Sequence, residues 1–541
     1  MRPVMLLVAA MLVAGCDDFR AARARSRVPR IVVVSMDTLH VGRTGPYNPD
    51  VETTPVLDRL AAEGVRFKNA YTQTPITLPS HAALLTGVSP PTLGVMANGD
   101  RVPDRTKTLA EIFGDAGYRT GAFITLGVLR PAFGLNQGFQ DFHDPFGEGP
   151  ERGYRRAHEI IEPLKSWLDD NSEEPFFLWV HFSDPHEPYV TPDAPPDTEL
   201  WLDDERLGTY NLASAEHYFV DVELPPGKHR LRWTSLWQAQ PDDRPETGIE
   251  LLLISTDVLQ GYTEDELSEA PTPMQPSFEI QLANDEASAT MFELHFSGQM
   301  RRPPPSVVLP NYEKNVATMD RHLGELVDKL DSLGIVDETL LVVVSDHGEG
   351  LFEHDIVGHA SHVYEDQLRI VWMMRGAGLP QGHVIADRPG LMIDVAPTIL
   401  DIVGLPHLGM AGMEGRSWVE CWESNTCPPP EPFWAYGLSH ETRGLTGMAS
   451  YRWPYKWMWR RGFERIAFDV ASDPWEKNNL LEDAGPHNPV ALKESAAGFR
   501  AERRRLSRAL HESGGTALSS ETERVLESLG YLGGAEKDEK R

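Results

Sequence analysis

Three runs of apolar residues, "IVVVSM" (31–36), "FFLWVHF" (176–182) and "LLVVVS" (340–345), constrain this chain more than any other feature. None alternates polar with apolar, so each reads as a strand buried on both faces, the pattern of a parallel sheet. Amphipathic helical patterns lie between them. "TTPVLDRLAAEG" ends at Gly64 as a helix stop, "TKTLAEIFGDAGYRTGAFIT" reads as helix, glycine turn and strand, and "NVATMDRHLGELVDKLDSLG" feeds the third run. Strands alternating with helices predict an α/β fold with helices on both faces of the sheet.

Each run ends in titratable residues: Asp37 after the first, Asp184 and His186 after the second, Asp346 and His347 after the third. Ligands of open α/β sheets gather at the carboxyl ends of strands. Carboxylates and imidazoles converging there would repel or desolvate badly unless a cation held them. A single strand-end acid is more often a helix cap, but three strands ending this way point to a metal site.

From about Glu199 to Gly298 the texture changes to short strand-like pieces with turn punctuation, such as "HYFVDVELPPGKHRLRWTSL" and "TMFELHFSG". This predicts an all-β insertion, a small sandwich, with "RRPPPSVVLP" returning the chain to the α/β core. Its aromatic residues either line a ligand face or fill a core. Past Gly404 the chain is irregular, and "WPYKWMWRRGFERIAFDVASDPWEKNNLL" then gives strands and a turn before a charged tail. The reading divides into 1–16, an export signal; 17–29, a basic tether; 30–195 and 301–420, the two parts of the core; 196–300, the β-rich insert; and 421–541, a smaller C-terminal subdomain with its tail.

The start, "MRPVMLLVAAMLVAGC", has an apolar run too short to span a membrane. Small residues before Cys16 resemble the bacterial lipoprotein processing site, which implies a lipidated Cys16 and an exported protein anchored to a membrane of the cell envelope. An ordinary cleaved signal with an incidental cysteine is the alternative. Arg20, Arg23, Arg25, Arg27 and Arg30 make the following tether attractive to an anionic lipid surface. The formal net charge of −31 argues against a nucleic-acid partner. Cys421 and Cys427 are either a disulfide or two thiols; spacing does not decide between them.

Seven pieces, in order, resemble the sulfatase family of the alkaline phosphatase superfamily: "VSMDTLHVGRTGPY", "TTPVLDRLAAEGVRFKNAYTQTPITLPSHAALLTG", "HFSDPHEPY", "VVVSDHGEGLFEH", "GHASHVYEDQLRI", "IDVAPTILDIVGLP" and "AFDVASDPWEKNNL". The resemblance implies that Asp37, Asp346 and His347 bind a divalent metal and that Asn98 contacts the oxyanion of a sulfate- or phosphate-ester substrate, carried on a glycan or a lipid. It also places His186 in the family's "PH-x-PY" piece and His359 near an active-site lysine position. Asp184, His186 and His359 make a candidate set for a second ion. Otherwise His186 and His359 contact the oxyanion or protonate the leaving group. Zinc is favoured, as one or two ions, over calcium or manganese.

One piece departs from the family. Where sulfatases carry C-x-P-S-R, with the cysteine oxidised to formylglycine, this chain has T-L-P-S-H, so Thr77 takes the nucleophile's place and His81 the arginine's, as a substrate contact. Thr77 resembles the threonine nucleophile of superfamily phosphodiesterases and phosphoethanolamine transferases. A threonine hydroxyl needs a base or a metal to become a nucleophile. Placed at the amino end of the helix containing "SHAALL", it would share that end's affinity for anions. Thr38 stands where many sulfatases have a second metal-binding aspartate. The expectation is a hydrolase that forms a covalent intermediate on Thr77, with phosphate esters favoured. The alternatives are a transferase of phospho-headgroups and a glycan-binding surface protein without activity.

Overall fold

The computed structural model describes residues 28–146, 153–189, 198–211, 218–236, 248–255, 277–284, 288–301, 304–376, 378–424, 426–439, 444–462, 466–482 and 498–513. Cys16 and nearly all of the basic tether lie outside the described residues. The chain divides into two compact units. One comprises Met1–Gly147, Gly153–Asp184 and Val316–Arg541; the other comprises Glu148–Arg152 and Pro185–Asn315. Among the described residues no helix is long and apolar enough to cross a membrane.

The first unit is built on an eight-stranded sheet: β1 (Arg30–Met36), β2 (Gly64–Phe67), β3 (Arg119–Phe123), β4 (Asp141–His143), β5 (Phe176–Phe182), β6 (Thr339–Ser345), β7 (Trp372–Arg375) and β8 (His383–Ile385). Their spatial order is β8-β2-β7-β6-β1-β5-β3-β4. The three apolar runs are the central neighbours β6, β1 and β5, parallel and in register, with Met36 opposite both Ser345 and Phe182. All seven residues of β5 and of β6 are buried, as runs without alternation require. Because the register is shared, the three strands end at one level, and whatever follows them meets there.

The helices form where the sequence supplies their ends. Helix α1 (Pro55–Glu63) opens on a proline, and its N-cap Thr54 makes no side-chain cap. Asp320 replaces that cap from another element, accepting Val56 N–H and Leu57 N–H at 2.9 Å each. Gly64 then starts β2 instead of relaxing into a left-handed turn. Its extended backbone runs so close to β7 that a Cβ would collide with the Met374 carbonyl. Helix α2 (Thr77–Thr86) is buried along its whole length and stops at Gly87, which is left-handed. Helix α3 (Leu109–Asp115) starts with a capping box between Thr108 and Glu111. Leu78, Ala82 and Leu85 of α2 join Val33, Val342 and Trp179 of the sheet in one apolar core. Each fully buried Leu or Val there contributes roughly 1.5–3 kcal/mol.

Beyond residue 421 the chain forms a four-stranded antiparallel sheet (Phe433–Leu438, Leu445–Arg452, Tyr455–Arg460, Ile466–Asp469). It shares a core with Tyr71, Val363 and Leu368, so this stretch, read from the sequence as a subdomain, belongs to the first compact unit. Cys421 and Cys427 form a disulfide.

The second unit is β over its described insert. One antiparallel sheet orders Ser277–Asn284, Gly227–Ser235, Thr198–Leu202 and Glu205–Tyr210; another orders Gly248–Ser255, Thr290–Arg301 and Tyr218–Leu224. Trp233, Leu231 and Leu200 are fully buried, so these positions are core. The longer segment of this unit begins at Pro185, earlier than the composition change at 196.

Candidate active site

The chemistry gathers where β1, β5 and β6 end. Asp37 follows β1 directly, its N–H bonded to Phe182 O of β5 at 2.8 Å. Asp346 and His347 follow β6. Among the described residues, Asp37, Asp346 and His347 form the group of three whose ligand atoms all lie within 4.8 Å of one another, and all three side chains are fully buried.

Backbone geometry aims these groups. Thr38 adopts φ 55°, the left-handed region that a β-branched residue rarely enters, and from there its N–H reaches Asp346 Oδ1 at 3.1 Å. His347 N–H donates to the same oxygen at 2.7 Å. Gly348 is required for another reason: a Cβ there would overlap the Asp366 carbonyl, and Gly348 N–H bonds Gln367 O at 2.9 Å. The tight approach turns His347 inward. Its Nδ1 lies 2.9 Å from Gly348 O, and since a carbonyl only accepts, Nδ1 carries the proton. In the neutral ring Nε2 then presents a lone pair, 3.3 Å from Asp346 Oδ2 and 3.9 Å from Asp37 Oδ1.

A lone pair facing two buried carboxylate oxygens is unfavourable without a cation. Burial first, and Asp37 second, push the Asp346 carboxyl well above the usual carboxylate range. Two carboxylates and one imidazole with protonated Nδ1 form a donor set that fits a divalent ion, with zinc, manganese or calcium all compatible with the atoms present.

Thr77 is the first residue of α2 and lies beside this group, with Oγ1 3.4 Å from His347 Nε2. It does not cap its helix, because the N-cap is Ile76. The helix end is less open to an anion than the sequence implies. Leu78 N–H is committed to Asn98 Oδ1 at 3.0 Å, Pro79 has no N–H, and Ser80 N–H bonds Ile76 O. The Leu78 contact fixes the amide of Asn98, so its buried Nδ2, which has no hydrogen-bond partner among the described residues, is the donor left over.

The other residues expected at the site are distributed as follows. His81 is fully buried, with Nδ1 2.8 Å from Thr77 O, and shows no surface to a substrate. The ring of His359 is 4.6 Å from that of His347, and its Nδ1 is 3.2 Å from Glu349 Oε1, so Glu349 orients it. Asp184 does not join the group of three. Its Oδ2 accepts Ala157 N–H at 3.2 Å at the start of helix α4 (Ala157–Asn171), and burial raises its carboxyl while Arg156 opposes. His186 belongs to the second unit, its Nδ1 2.7 Å from Glu187 O. His354 stacks on Tyr364 at 3.8 Å. Burial pushes both His354 and His362 down to about 4.

Sequence reasoning overlooked His181. Its Nε2 lies 3.3 Å from Asp37 Oδ2, and its Nδ1 faces the N–H of Thr125 at 3.4 Å and Thr125 Oγ1 at 2.9 Å. It therefore holds one oxygen of Asp37 and leaves the other, Oδ1, toward His347. The available signal was a lone polar residue in an otherwise apolar buried strand.

A family model described as Sulfatase matches residues 29–405, more than half of the chain. The chain is a member of the sulfatase family. The family places it in the alkaline phosphatase superfamily, as a metal-dependent hydrolase of ester bonds. It is 22% identical over 515 residues to an N-acetylglucosamine-6-O-sulfatase of Bacteroides thetaiotaomicron, with 89% of this chain and 87% of that protein covered. It is 24% identical to a choline-sulfatase of Rhizobium meliloti, covering 85% and 84%. Among solved structures, the fold matches the phosphonate monoester hydrolase of Agrobacterium radiobacter with a TM-score of 0.54 at 17% identity, over 91% of this chain and 98% of that one.

Proposed function

We propose that this sulfatase-family member hydrolyses a phosphate or sulfate ester through a covalent intermediate on Thr77, with phosphate esters preferred. The observation that carries the reading is the Thr77 hydroxyl, unused as a cap and 3.4 Å from His347 Nε2. Asp37, Asp346 and His347 would hold a divalent ion, whose Lewis acidity would let the Thr77 hydroxyl release its proton to water as it attacks. Thr77 Oγ forms a bond to phosphorus or sulfur as the bond to the leaving alcohol breaks. The alcohol takes a proton, for which His359, oriented by Glu349, is the donor we favour. Asn98 Nδ2 donates to a non-bridging oxygen as charge builds there.

The preference for phosphate follows from what threonine lacks. An aldehyde hydrate has two hydroxyls on one carbon, and the second can expel the bound anion by breaking carbon–oxygen. Thr77 has one hydroxyl, so water must attack the central atom, displacing Thr77 Oγ and regenerating it. We place the ester on a glycan, by analogy with the N-acetylglucosamine-6-O-sulfatase of Bacteroides thetaiotaomicron.

The test pairs Thr77→Ala with nitrophenyl phosphate, phosphodiester and sulfate esters, and with intact mass of enzyme quenched during turnover. Turnover should fall roughly 10⁴-fold with metal content unchanged. The wild-type protein should gain the mass of one phosphoryl or sulfuryl group on the peptide holding Thr77. Full activity of Thr77→Ala would refute the nucleophile.

A further inference from the structure

We propose that His81 is the positioning residue of the nucleophile. A hydrogen-bond chain running one way from Trp179 through Ser35 to His81 fixes the tautomer that grips the carbonyl of Thr77. The inference rests on Thr77 being the nucleophile, and it gives His81 a role other than the substrate contact implied by its place in the motif.

The chemistry of the two ends dictates the direction. An indole N–H only donates, and Trp179 Nε1 lies 2.9 Å from Ser35 Oγ. A carbonyl only accepts, and His81 Nδ1 lies 2.8 Å from Thr77 O. Nδ1 therefore carries a proton, and in the neutral ring Nε2 is an acceptor. Ser35 Oγ is 3.0 Å from Nε2 and donates its hydroxyl proton there while accepting from the indole. Each polar atom has one role, so the ring cannot flip or change tautomer without breaking two bonds.

Asp346 Oδ2 is the rival partner for His81 Nδ1, but at 3.7 Å it is beyond hydrogen-bond reach, and Thr77 O takes the proton. Ser35, His81 and Trp179 are all wholly buried, so no solvent competes for these bonds.

The chain matters because of what it connects. Ser35 lies on β1 two residues before Asp37, and Trp179 lies on β5 two residues before His181, which Ser35 faces in register. His81 is one turn along α2 from Thr77. The two strands that place Asp37 thus also hold the first turn of the helix that places Thr77. A threonine hydroxyl has three χ1 rotamers, and a backbone free to tilt would misplace it relative to the metal group.

The test compares His81→Leu, His81→Gln and Ser35→Ala in the full-length protein. The measurements are kcat, KM, zinc affinity by calorimetry and thermal midpoint. Glutamine can donate and accept as the imidazole does; leucine can do neither. We expect His81→Leu to lose roughly 10- to 100-fold in kcat, Ser35→Ala about 5- to 10-fold, and His81→Gln to recover most of the loss. KM and zinc affinity should stay within about threefold of wild type. A rise in KM at unchanged kcat would make His81 a substrate contact and overturn the proposal. So would equal losses in His81→Gln and His81→Leu, or wild-type turnover in Ser35→Ala. Should His81→Leu not fold, the smaller Ser35→Ala change still decides the question. Activity surviving in Thr77→Ala would instead sink the nucleophile reading, whatever the His81 variants do.

Discussion

Two sets of buried carboxylates lie in the first compact unit, and they face different partners. Glu365 and Glu476 surround Lys456, whose Nζ is 3.2 Å from Glu365 Oε1 and 2.7 Å from Glu476 Oε1 with its side chain wholly buried. Tyr71 and Tyr451 donate to the two oxygens of Glu365 at 2.8 and 2.7 Å, and Glu365 N–H bonds Glu476 Oε2 at 2.7 Å. Burial works against the ammonium, but Glu476 and Glu365 outweigh it and hold Lys456 above its ordinary range. Asp37 and Asp346 are equally buried, yet the ring of His347 faces both of them with a lone pair and not with a charge. Where the task is to tie the C-terminal sheet to the core, the chain supplies its own cation. Where we propose chemistry, the side chains offer a donor set for an added ion instead.

Removing the cation from each set tests this contrast. Chelation, or Asp346→Asn, should cut turnover roughly 10⁴-fold, several kcal/mol of barrier, while the protein stays folded. The thermal midpoint should drop only by what the bound ion contributed and return on adding metal. Turnover that persists in chelated protein would remove the cation from the mechanism. Lys456→Met is the counterpart in the other set. It leaves two buried carboxylates without their partner and should cost about 3–5 kcal/mol in urea unfolding. Activity per folded molecule should hold within a few-fold. A Lys456→Met protein of wild-type stability would show that the tyrosines and the Glu365 amide suffice.

The two sets were not equally legible in the sequence. Asp37, Asp346 and His347 could be placed together because unbroken apolar runs mark strands of a parallel sheet, and such strands end at one level. Lys456 could not. In "YKWMWRR" a lysine beside aromatics reads as a solvated strand position, and nothing local shows that Glu365 and Glu476, from distant segments, close over it. Asp320 capping α1 and His181 steering Asp37 escaped for the same reason: each acts across more than a hundred residues. The amide commitments at the start of α2 were invisible too, because they depend on the position of Asn98. What a strand or helix contributes by its own pattern could be read; what one side chain does for a remote backbone group could not.

A third way to bury a titratable group is to keep it uncharged, and His40 measures how much that contributes. It is 2% exposed, stacks on Trp475 at 5.4 Å, and accepts Gly42 N–H at Nδ1 at 3.0 Å. Burial, the largest influence, lowers it to about 4, against the pull of Glu353 toward a higher value. The unfolded chain binds this proton near its ordinary 6.5, so the folded state binds fewer protons between about 6.5 and 4. His40 therefore stabilises the fold fully above pH 6.5, and that contribution is lost as pH falls toward 4, by at most about 3 kcal/mol. Protonating Nδ1 would also end the Gly42 bond. His40→Gln, which cannot take the proton, should flatten the dependence of the thermal midpoint on pH between 6.5 and 4.5 relative to wild type. If both proteins lose stability in parallel over that range, the acid sensitivity comes from His354, His362 or the carboxylates, and His40 is no more than a packed ring.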